Sequence, residues 1–570
     1  MDQGTDGGLE TPGVQFSLPD LERLHGKSVP RDKEGLKEIF AFVKGDVESL
    51  DGDAVSIEVK DSNRPDIWAV EGIARALTGY LGVGRTITIK VAGRSNLKVV
   101  IDKRVKPIRP FISTAIVKGL QPTDEALKSW INLQEKLDQT YGRKRKRASI
   151  GFYQADMIQS PLSYTVANPD IITFTPLGSE KKQSLREIVE THPKGAEYGD
   201  IISQFETWPI LVDGADNVLS LPPVINSNDL GRITTETRNI LVEVTGTNAE
   251  TVQNTLKIVV STLAERGGKV YSCLETYSYG SPRRLVSPDL SPVGSSLRLS
   301  YINKLLGTSL SLKEASRFAE RAGYRVRRAT GDTIQLEIPC YRTDIMHSVD
   351  IVEDIAIAMD ISKLRPEWPR LWTAGNLAKE TDETDTVAEI MIGLGFQEVL
   401  TYALTSPVVV SENMHSSDGN LVELLNPRMT THTTLRSWVL PSLLEILSHN
   451  THVDYPQKIF EIGQSVQRGE NQAQPVQETR KLAAVTIHAS AGFTEIRSCL
   501  DAMAENEGRS FQIKVKEHPS FLSGRCGAII SKDGTEVGII GEVNPRVIKS
   551  WGLNLPVAAF EIELSALSYT

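Results

Sequence analysis

The chain has 570 residues, with 63 lysine and arginine residues against 72 aspartate and glutamate residues, so its formal net charge is −9. This length predicts several domains, because a single domain usually holds about 100–200 residues. No apolar run reaches the roughly 18 residues that a membrane-spanning helix needs, so we expect no membrane association. The mild acidity excludes nucleic-acid binding by overall charge, and any such binding therefore requires a local basic patch.

The N-terminus and the cysteines both favour a cytoplasmic location. The first dozen residues are acidic and glycine-rich, so we expect a flexible tail rather than a secretory signal. No CxxC pair occurs, which indicates neither a zinc ribbon nor a disulfide framework and fits a reducing cytosol. The four cysteines are Cys273, Cys340, Cys499 and Cys526.

The first segment, residues 1–90, predicts a small α/β domain. A strand is expected at Val14 and Phe16, and the alternating run AVSIEVK predicts another. The run DSNRPDIWAVEGIARALTGYLG predicts one helix that begins at Pro65 and ends near Gly82.

The second segment, residues 91–283, predicts a mixed α/β domain. ISTAIVKGL is typical of a buried strand, and TDEALKSWINLQEKLDQTYG predicts a helix that Thr123 caps. The apolar stripe of this helix contains Leu127, Trp130, Ile131, Leu137 and Tyr141. Further strands are expected around Ile210–Val212, Val218–Leu221 and Ile240–Val244, and ETVQNTLKIVVSTLAERGG predicts a second helix.

The third and fourth segments cover residues 284–365 and 375–570. In the third, Ser311 and Glu314 form a capping box that begins a helix, and YRVRRATGDTIQLEIP predicts a hairpin. The fourth alternates helices with strands such as KIFEIGQSV, KLAAVTIHA, GRCGAIIS and EVGIIGEV.

Four carboxylates fall within eleven residues of the third segment, around the start of its last helix. Like charges four residues apart on a helix repel unless a cation lies between them, and a purely oxygen ligand set suits Mg²⁺ rather than zinc. The alternative is that the helix dipole alone favours acids in the first turn. The four residues are Asp344, Asp350, Glu353 and Asp354.

Two further patterns allow a functional and a structural interpretation. On a strand through ILVEVTG, Glu243 and Thr245 share one face, where they can bind a small polar ligand or simply face solvent. The basic run Arg143, Lys144, Arg145, Lys146 and Arg147 can contact RNA phosphates, act as a nuclear-localisation signal or be a solvated helix end. No P-loop, HExxH or GxSxG motif occurs.

Six stretches of the sequence together form a specific pattern: DSNRPDIWAVEGIARALTGYLG, IPCYRTDIMHSVDIVEDIAIA, IMIGLGFQEVLTYALTS, TTLRSWVLPSLLEILSHN, FEIG and GEVNPRV. In this combination the chain resembles the β-subunit family of phenylalanyl-tRNA synthetase in its archaeal and eukaryotic-cytosolic form. The resemblance covers essentially the whole chain in the right order.

The resemblance implies an α+β multidomain chain. The four segments become an N-terminal α/β domain, a mixed α/β editing domain that hydrolyses tyrosyl-tRNA, a small DNA-binding-like domain, and a class II synthetase-like antiparallel-sheet domain without catalytic activity. It implies two β and two α subunits (α2β2), tRNA(Phe) as a partner, and ATP-dependent aminoacylation with Mg²⁺ on the α subunit. In the fourth domain, Phe460 is followed by Glu461 instead of an ATP-binding arginine, which agrees with lost activity.

The resemblance also assigns residues. Asp344, Asp350, Glu353 and Asp354 match the magnesium site of the family, and Leu211, Ser220, Glu243 and Thr245 resemble its editing pocket. Glu243 stands where some relatives are expected to have aspartate, which keeps the charge and lengthens the reach. Two alternatives remain open, a non-catalytic tRNA-binding scaffold and a free-standing editing hydrolase.

Overall fold

The computed structural model describes residues 13–61, 63–82, 89–369, 371–417, 419–471 and 473–564. The expected flexible tail over the first dozen residues lies outside this part of the chain. The chain divides into two compact units, residues 1–367 and 368–570, and each is described by itself. Both units mix helices with strands, which confirms the prediction of a multidomain α and β chain.

The first unit contains twelve described helices and eighteen described strands. The helices are α1 (Leu18–His25), α2 (Lys33–Phe40), α3 (Val70–Tyr80), α4 (Asp124–Gln139), α5 (Leu185–Thr191), α6 (Pro193–Tyr198), α7 (Asp200–Ser203), α8 (Asn228–Gly231), α9 (Ala249–Glu265), α10 (Leu299–Leu306), α11 (Leu312–Arg321) and α12 (Ser348–Met359). The strands are β1 (Gly13–Ser17), β2 (Gly45–Asp51), β3 (Ala54–Val59), β4 (Val91–Ile101), β5 (Phe111–Lys118), β6 (Ala148–Gln154), β7 (Leu162–Ala167), β8 (Thr173–Phe174), β9 (Gln183–Ser184), β10 (Trp208–Val212), β11 (Val218–Leu221), β12 (Ile225–Asn226), β13 (Ile240–Gly246), β14 (Lys269–Tyr277), β15 (Arg284–Ser287), β16 (Val293–Arg298), β17 (Arg325–Thr330) and β18 (Thr333–Ile338).

The N-terminal sheet has the order β1-β3-β2 and confirms both predicted strands. The single helix predicted from Pro65 is wrong in one respect, because Pro65–Ile67 forms a separate 3-10 turn before α3. A Cβ at Gly72 would lie only 2.8 Å from the carbonyl carbon of Asp66. Glycine therefore lets the turn fold back closely onto the helix.

The site described below lies on a sheet of ten strands in the order β12-β11-β10-β7-β4-β14-β5-β13-β6, with β15 paired to β14. Strand β13 is antiparallel to both of its neighbours, β5 and β6. Helices α4 and α9 cover one face, where Trp130 and Leu256 share a core with Val242 and Val244. As predicted, Thr123 caps α4 by accepting a hydrogen bond from the Ala126 N–H.

The small domain has the sheet order β16-β18-β17, against which α10, α11 and α12 pack. Its predicted features are confirmed. Ser311 and Glu314 form both bonds of the capping box, and β17 and β18 form the expected antiparallel hairpin.

The second unit has four described α-helices, which are α13 (Lys379–Gly393), α14 (Leu440–His449), α15 (Phe493–Asn506) and α16 (Pro545–Ser550). Its strands are β19 (Gln397–Glu398), β20 (Leu404–Thr405), β21 (Thr434–Leu435), β22 (Gln457–Asn471), β23 (Gln474–Ile487), β24 (Gln512–Val515), β25 (Phe521–Ile530), β26 (Glu536–Val543) and β27 (Val557–Glu563).

The main sheet of this unit has the order β19-β22-β23-β27-β26-β25-β24 and is antiparallel except for the β19–β22 pair. Alternate residues of β23 face opposite sides: Ala483 and Val485 pack with α14, whereas Leu482 and Ala484 pack with α13 and α15. No helix in the described part of either unit is long and apolar enough to span a bilayer.

Candidate functional site

A cavity of about 550 Å³ lies beside the central sheet of the first unit. Its wall combines apolar side chains such as Phe152 and Ile225 with polar residues that include Ser220, Asn226 and Glu243. Ile131, which was predicted to lie in the apolar stripe of α4, is 44% exposed and lines this cavity. A concave site in which polar groups converge between apolar walls is the usual form of a small-ligand site.

The carboxyl group of Glu243 is the strongest chemical feature of the cavity. The residue is only 3% exposed, so the alternative of a solvated strand face is wrong. Glu243 Oε2 accepts a hydrogen bond from the Tyr153 hydroxyl at 2.9 Å, whereas the buried Oε1 has no hydrogen-bond partner in the described structure. Burial raises the pKa of Glu243 to about 7. One oxygen of this carboxyl group is thus available to a ligand.

Ser220 supplies a second available oxygen. It lies on β11 and lines the cavity. It is next to the Tyr153 hydroxyl, but its own buried Oγ makes no hydrogen bond of normal geometry with any described residue. Leu211 pairs with Ser220 across the β10–β11 ladder and packs into the adjoining core. The cavity lining does not include Leu211, so the strand pairing brings these two residues together without exposing Leu211 to a ligand.

Thr245 lies behind the cavity wall. It is fully buried, and its Oγ1 accepts a hydrogen bond from Arg109 Nε at 2.9 Å. Arg109 also donates to Ser149 Oγ at 2.9 Å, and Ser149 does line the cavity. Of the four predicted pocket residues, Ser220 and Glu243 therefore form the wall, while Leu211 and Thr245 support it.

The basic run forms a tight turn that Arg145 anchors to the cavity. The side chains of Arg143, Lys144, Lys146 and Arg147 are exposed. Arg145 instead forms an ion pair with the buried Asp138 at 2.9 Å and donates to the carbonyl oxygens of Pro223 and Val224, both at 3.0 Å. Four cations remain available at the surface, and the fifth belongs to the cavity wall.

Two of the predicted metal ligands, Asp344 and Asp354, contact the same guanidinium group. Arg342 donates to the two oxygens of Asp344 at 2.9 and 2.7 Å and to Asp354 Oδ2 at 2.6 Å. Asp354 also accepts hydrogen bonds from the hydroxyls of Tyr80 and Tyr324. The cation between these two carboxylates is therefore an arginine of the chain itself.

The other two predicted ligands have separate partners. Asp350 Oδ2 accepts hydrogen bonds from the backbone N–H groups of Met346 and His347 at 2.8 and 2.7 Å. Glu353 forms an ion pair with Lys44 at 2.5 Å. Within the described ranges, no group of three or more histidine, cysteine, aspartate or glutamate residues is placed to hold a metal ion. The side chains as placed do not fit a four-carboxylate site, and magnesium binding there stays a prediction.

In the second unit, Glu461 occupies the strand position where an ATP-binding arginine would be expected. It is buried on β22, where its oxygens accept hydrogen bonds from Arg436 at 2.8 Å and from the Thr401 hydroxyl at 2.6 Å. The Glu461 carboxylate is negative and is already paired with Arg436, so this position does not favour binding of a triphosphate.

Sequence reasoning missed Tyr153 and Arg109. Tyr153 follows Gly151 by two residues on a strand, so the two share a face, but an isolated tyrosine carries no signal of its partner. Arg109 lies in the loop before β5, and its contacts come from residues 36 to 136 positions away. Only the fold reveals either role.

Comparisons with known proteins match both units of the chain to proteins or domains of tRNA synthetases. The family model of the phenylalanyl-tRNA synthetase β chain CLM domain matches residues 365–564, and that of the tRNA synthetase B5 domain matches residues 295–361. The phenylalanine–tRNA ligase β subunit of Thermococcus onnurineus is 40% identical, covering 98% of this chain and 99% of that protein. The corresponding β subunit of Pyrococcus horikoshii is 38% identical, with the same coverage.

A solved structure matches the first part of the chain. The crystal structure of an N-terminal fragment of the phenylalanyl-tRNA synthetase β subunit from Pyrococcus horikoshii has a TM-score of 0.58 and 38% sequence identity. The match covers 61% of this chain and 99% of that fragment.

Proposed function

Because the chain belongs to the family of phenylalanine–tRNA ligase β subunits, we propose that it acts with a catalytic α subunit and itself removes tyrosine from mischarged tRNA(Phe). The α subunit attaches phenylalanine with ATP and Mg²⁺, in an α2β2 assembly. The segments 1–90, 91–283, 284–365 and 375–570 correspond to the N-terminal, editing, DNA-binding-like and inactive class II-like domains.

One observation carries the editing proposal: two residues of the cavity wall each hold a buried oxygen that has no hydrogen-bond partner in the described part of the chain, Glu243 Oε1 and Ser220 Oγ. A tyrosine side chain differs from phenylalanine by one hydroxyl. In this cavity the hydroxyl donates to Glu243 and accepts from Ser220, whereas phenylalanine leaves both groups unpaired. A buried polar group left unpaired costs about 1–3 kcal/mol, and this difference selects tyrosyl-tRNA.

Hydrolysis of the ester follows from holding the substrate in this orientation. Water attacks the ester carbonyl carbon, and the bond between that carbon and the oxygen of the terminal ribose breaks. The ribose oxygen takes the proton that water loses, so free tyrosine and uncharged tRNA are released. Residues of this chain bind and orient the tyrosine side chain, and no general base of the chain is assigned.

The exposed cations of the basic turn bind the tRNA backbone near the cavity. Arg143, Lys144, Lys146 and Arg147 form a compact group, and phosphate contacts position a nucleic acid without reading its sequence. Arg145 ties this group to the cavity wall. These four side chains provide a local basic surface for RNA, although the chain as a whole carries a net negative charge.

The test is hydrolysis of tyrosyl-tRNA(Phe) by the complex with its cognate α subunit. We expect Glu243→Ala to lower kcat/KM about 10- to 100-fold, in keeping with a lost hydrogen bond to a charged group, while phenylalanylation is unchanged. Glu275→Gln is the matched control, because Glu275 is a buried carboxyl on the same sheet outside the cavity lining. Hydrolysis by Glu243→Ala at the wild-type rate would remove Glu243 from the site, whereas no hydrolysis by the wild-type complex would favour a non-catalytic tRNA-binding scaffold.

A second measurement separates the subunit roles. The chain alone is expected not to phenylalanylate tRNA, and to do so when mixed with the α subunit. Aminoacylation by the chain alone would overturn the proposal that the C-terminal domain is catalytically inactive. Hydrolysis of tyrosyl-tRNA without any complex formation would favour a free-standing editing hydrolase.

A further inference from the structure

Arg109 is a buried cation whose side chain binds only neutral oxygens among the described residues. Its side chain is almost completely inaccessible, and no carboxylate in the described part of the chain lies within 4.0 Å of it, whereas the buried Arg75 and Arg342 each pair with carboxylates. All its hydrogen bonds go to neutral oxygens, at 2.6 to 2.9 Å. Burying a charge without a close counter-ion is costly, so fold stability alone gives a poor account of this arginine.

The hydrogen bonds of Arg109 connect two parts of the site. Nε and Nη2 bind Thr245 at its hydroxyl and carbonyl oxygens, and Nη2 also binds the hydroxyl of Ser149 in the cavity wall. Nη1 donates to the carbonyl oxygen of Arg145 in the basic turn at 2.9 Å. One planar group therefore fixes the pocket strands and the turn at the same time.

The turn requires such an anchor because its backbone is strained. Arg143, Lys144 and Arg145 have φ angles of 52°, 52° and 62°, a left-handed conformation that residues with a Cβ adopt as single residues rather than in succession. The hydrogen bond from Arg109 reaches the last of the three. It adds to the contacts that the Arg145 side chain makes with Asp138, Pro223 and Val224, so its loss should loosen the position of the turn.

We propose that Arg109 is the positioning residue of the editing site, where it aligns the tyrosine pocket with the tRNA-binding turn and places a positive charge near Glu243. The inference rests on the editing function proposed above. Arg109 does not line the cavity and acts only through Thr245, Ser149, Arg145 and the electrostatic field at Glu243.

The charge of Arg109 opposes the effect of burial on Glu243. Arg109 lowers the pKa of that carboxyl group, which burial raises, because a nearby positive charge favours the ionised form. Three other titratable groups on the packed strands and α4 interact with Glu243, and they are Tyr153, Tyr164 and Asp138. The charged or titratable groups that line the same cavity are Arg145, Glu135, His192, Lys194 and Arg232. An ionised Glu243 is the better acceptor for a phenol, so tyrosine removal should decline at acidic pH.

The experiment compares pH profiles of tyrosyl-tRNA hydrolysis by the α–β complex, corrected for the uncatalysed rate. We expect Arg109→Gln to lower kcat/KM at least tenfold and to move the acidic limb about half a pH unit or more towards alkaline pH. Arg109→Lys keeps the positive charge but loses the planar set of hydrogen bonds to Thr245, Ser149 and Arg145. We therefore expect kcat/KM of this variant to fall while the acidic limb of its pH profile stays in place. Tyr164→Phe is the control, because it removes the hydrogen bond from Tyr164 to the backbone carbonyl of Arg109 and keeps the side-chain hydrogen bonds of Arg109.

The outcomes separate the inference from the function on which it rests. If the wild-type complex does not hydrolyse tyrosyl-tRNA, the proposed editing function fails. If it does, and the limb of Arg109→Gln coincides with that of the wild type, the positioning role is overturned. If Arg109→Gln does not fold, Arg109→Lys combined with Glu243→Gln decides: we expect the loss from the lysine change to shrink in the double variant, and full additivity would overturn the proposal.

Discussion

Gly151 on β6 lies directly opposite Glu243 on β13, and a Cβ at residue 151 would lie 2.6 Å from Glu243 Oε2 and closer still to the Tyr153 hydroxyl. The hydrogen bond between Tyr153 and Glu243 thus occupies the space above the glycine. No L-amino acid with a side chain fits there while that bond is in place.

Gly151→Ala is therefore expected to displace Tyr153 or Glu243 and to lower tyrosyl-tRNA hydrolysis at least tenfold. Overpacking of this kind also costs about 1–3 kcal/mol of folding free energy, which denaturant titration measures. Gly93→Ala on the same sheet is the control, because its Cβ would meet Tyr271 at an ordinary 3.4 Å. Equal activity of the two variants would contradict the packing argument.

The contribution of Glu275 to the stability of the first unit is expected to decrease as the pH rises. Burial raises its pKa to about 8 from a usual 4.5. Between these values the folded chain binds more protons than the unfolded chain, so the free energy of unfolding falls as pH rises, by up to about 1.4 kcal/mol per pH unit.

Glu275→Gln removes this titration while its amide oxygen can still accept from Thr114 and Ser287. We expect the thermal midpoint of the variant to rise relative to that of the wild type as the pH is raised from 5 to 8. The difference between the two proteins isolates Glu275 from Glu243 and Asp138, whose pKa values burial also raises. A constant difference across this range would show that Glu275 is ionised throughout.

Removal of divalent metal should leave the small domain folded. Arg342 already pairs with Asp344 and Asp354, so we expect EDTA to leave the thermal midpoint unchanged. Arg342→Met should cost about 3–5 kcal/mol, because it leaves buried carboxylates without a partner. An EDTA-dependent loss of stability that Mg²⁺ restores would instead support the magnesium site predicted from the sequence.

Neutralising the four exposed cations of the basic turn should weaken tRNA binding in a salt-dependent way. If Arg143, Lys144, Lys146 and Arg147 each contact one phosphate of a single-stranded segment, changing all four to glutamine makes the negative slope of log K against log salt shallower by about 2.8. Changing Lys98 and Lys269, exposed lysines on β4 and β14, is the control. An unchanged slope would remove the turn from the RNA interface.

Local chemistry in the sequence was enough to predict many elements. The capping box at Ser311 and Glu314 and the N-cap at Thr123 depend on contacts within four residues, and both are present. The prediction of one helix from Pro65 was wrong because the Asp66 backbone packs against Gly72, and this contact separates the turn from α3.

The sequence by itself determined the family, the alternation of strands with helices, and the placement of Glu243 and Thr245 on one strand face, since all three depend on residue order and on periodicity. The tertiary structure alone decided which side chains meet. It placed Glu243 with Tyr153, joined Arg109 to Thr245 and Arg145, and put Arg342 between two expected metal ligands. These contacts join strands and loops distant in the chain, and the energies of buried charges depend on such neighbours rather than on local pattern.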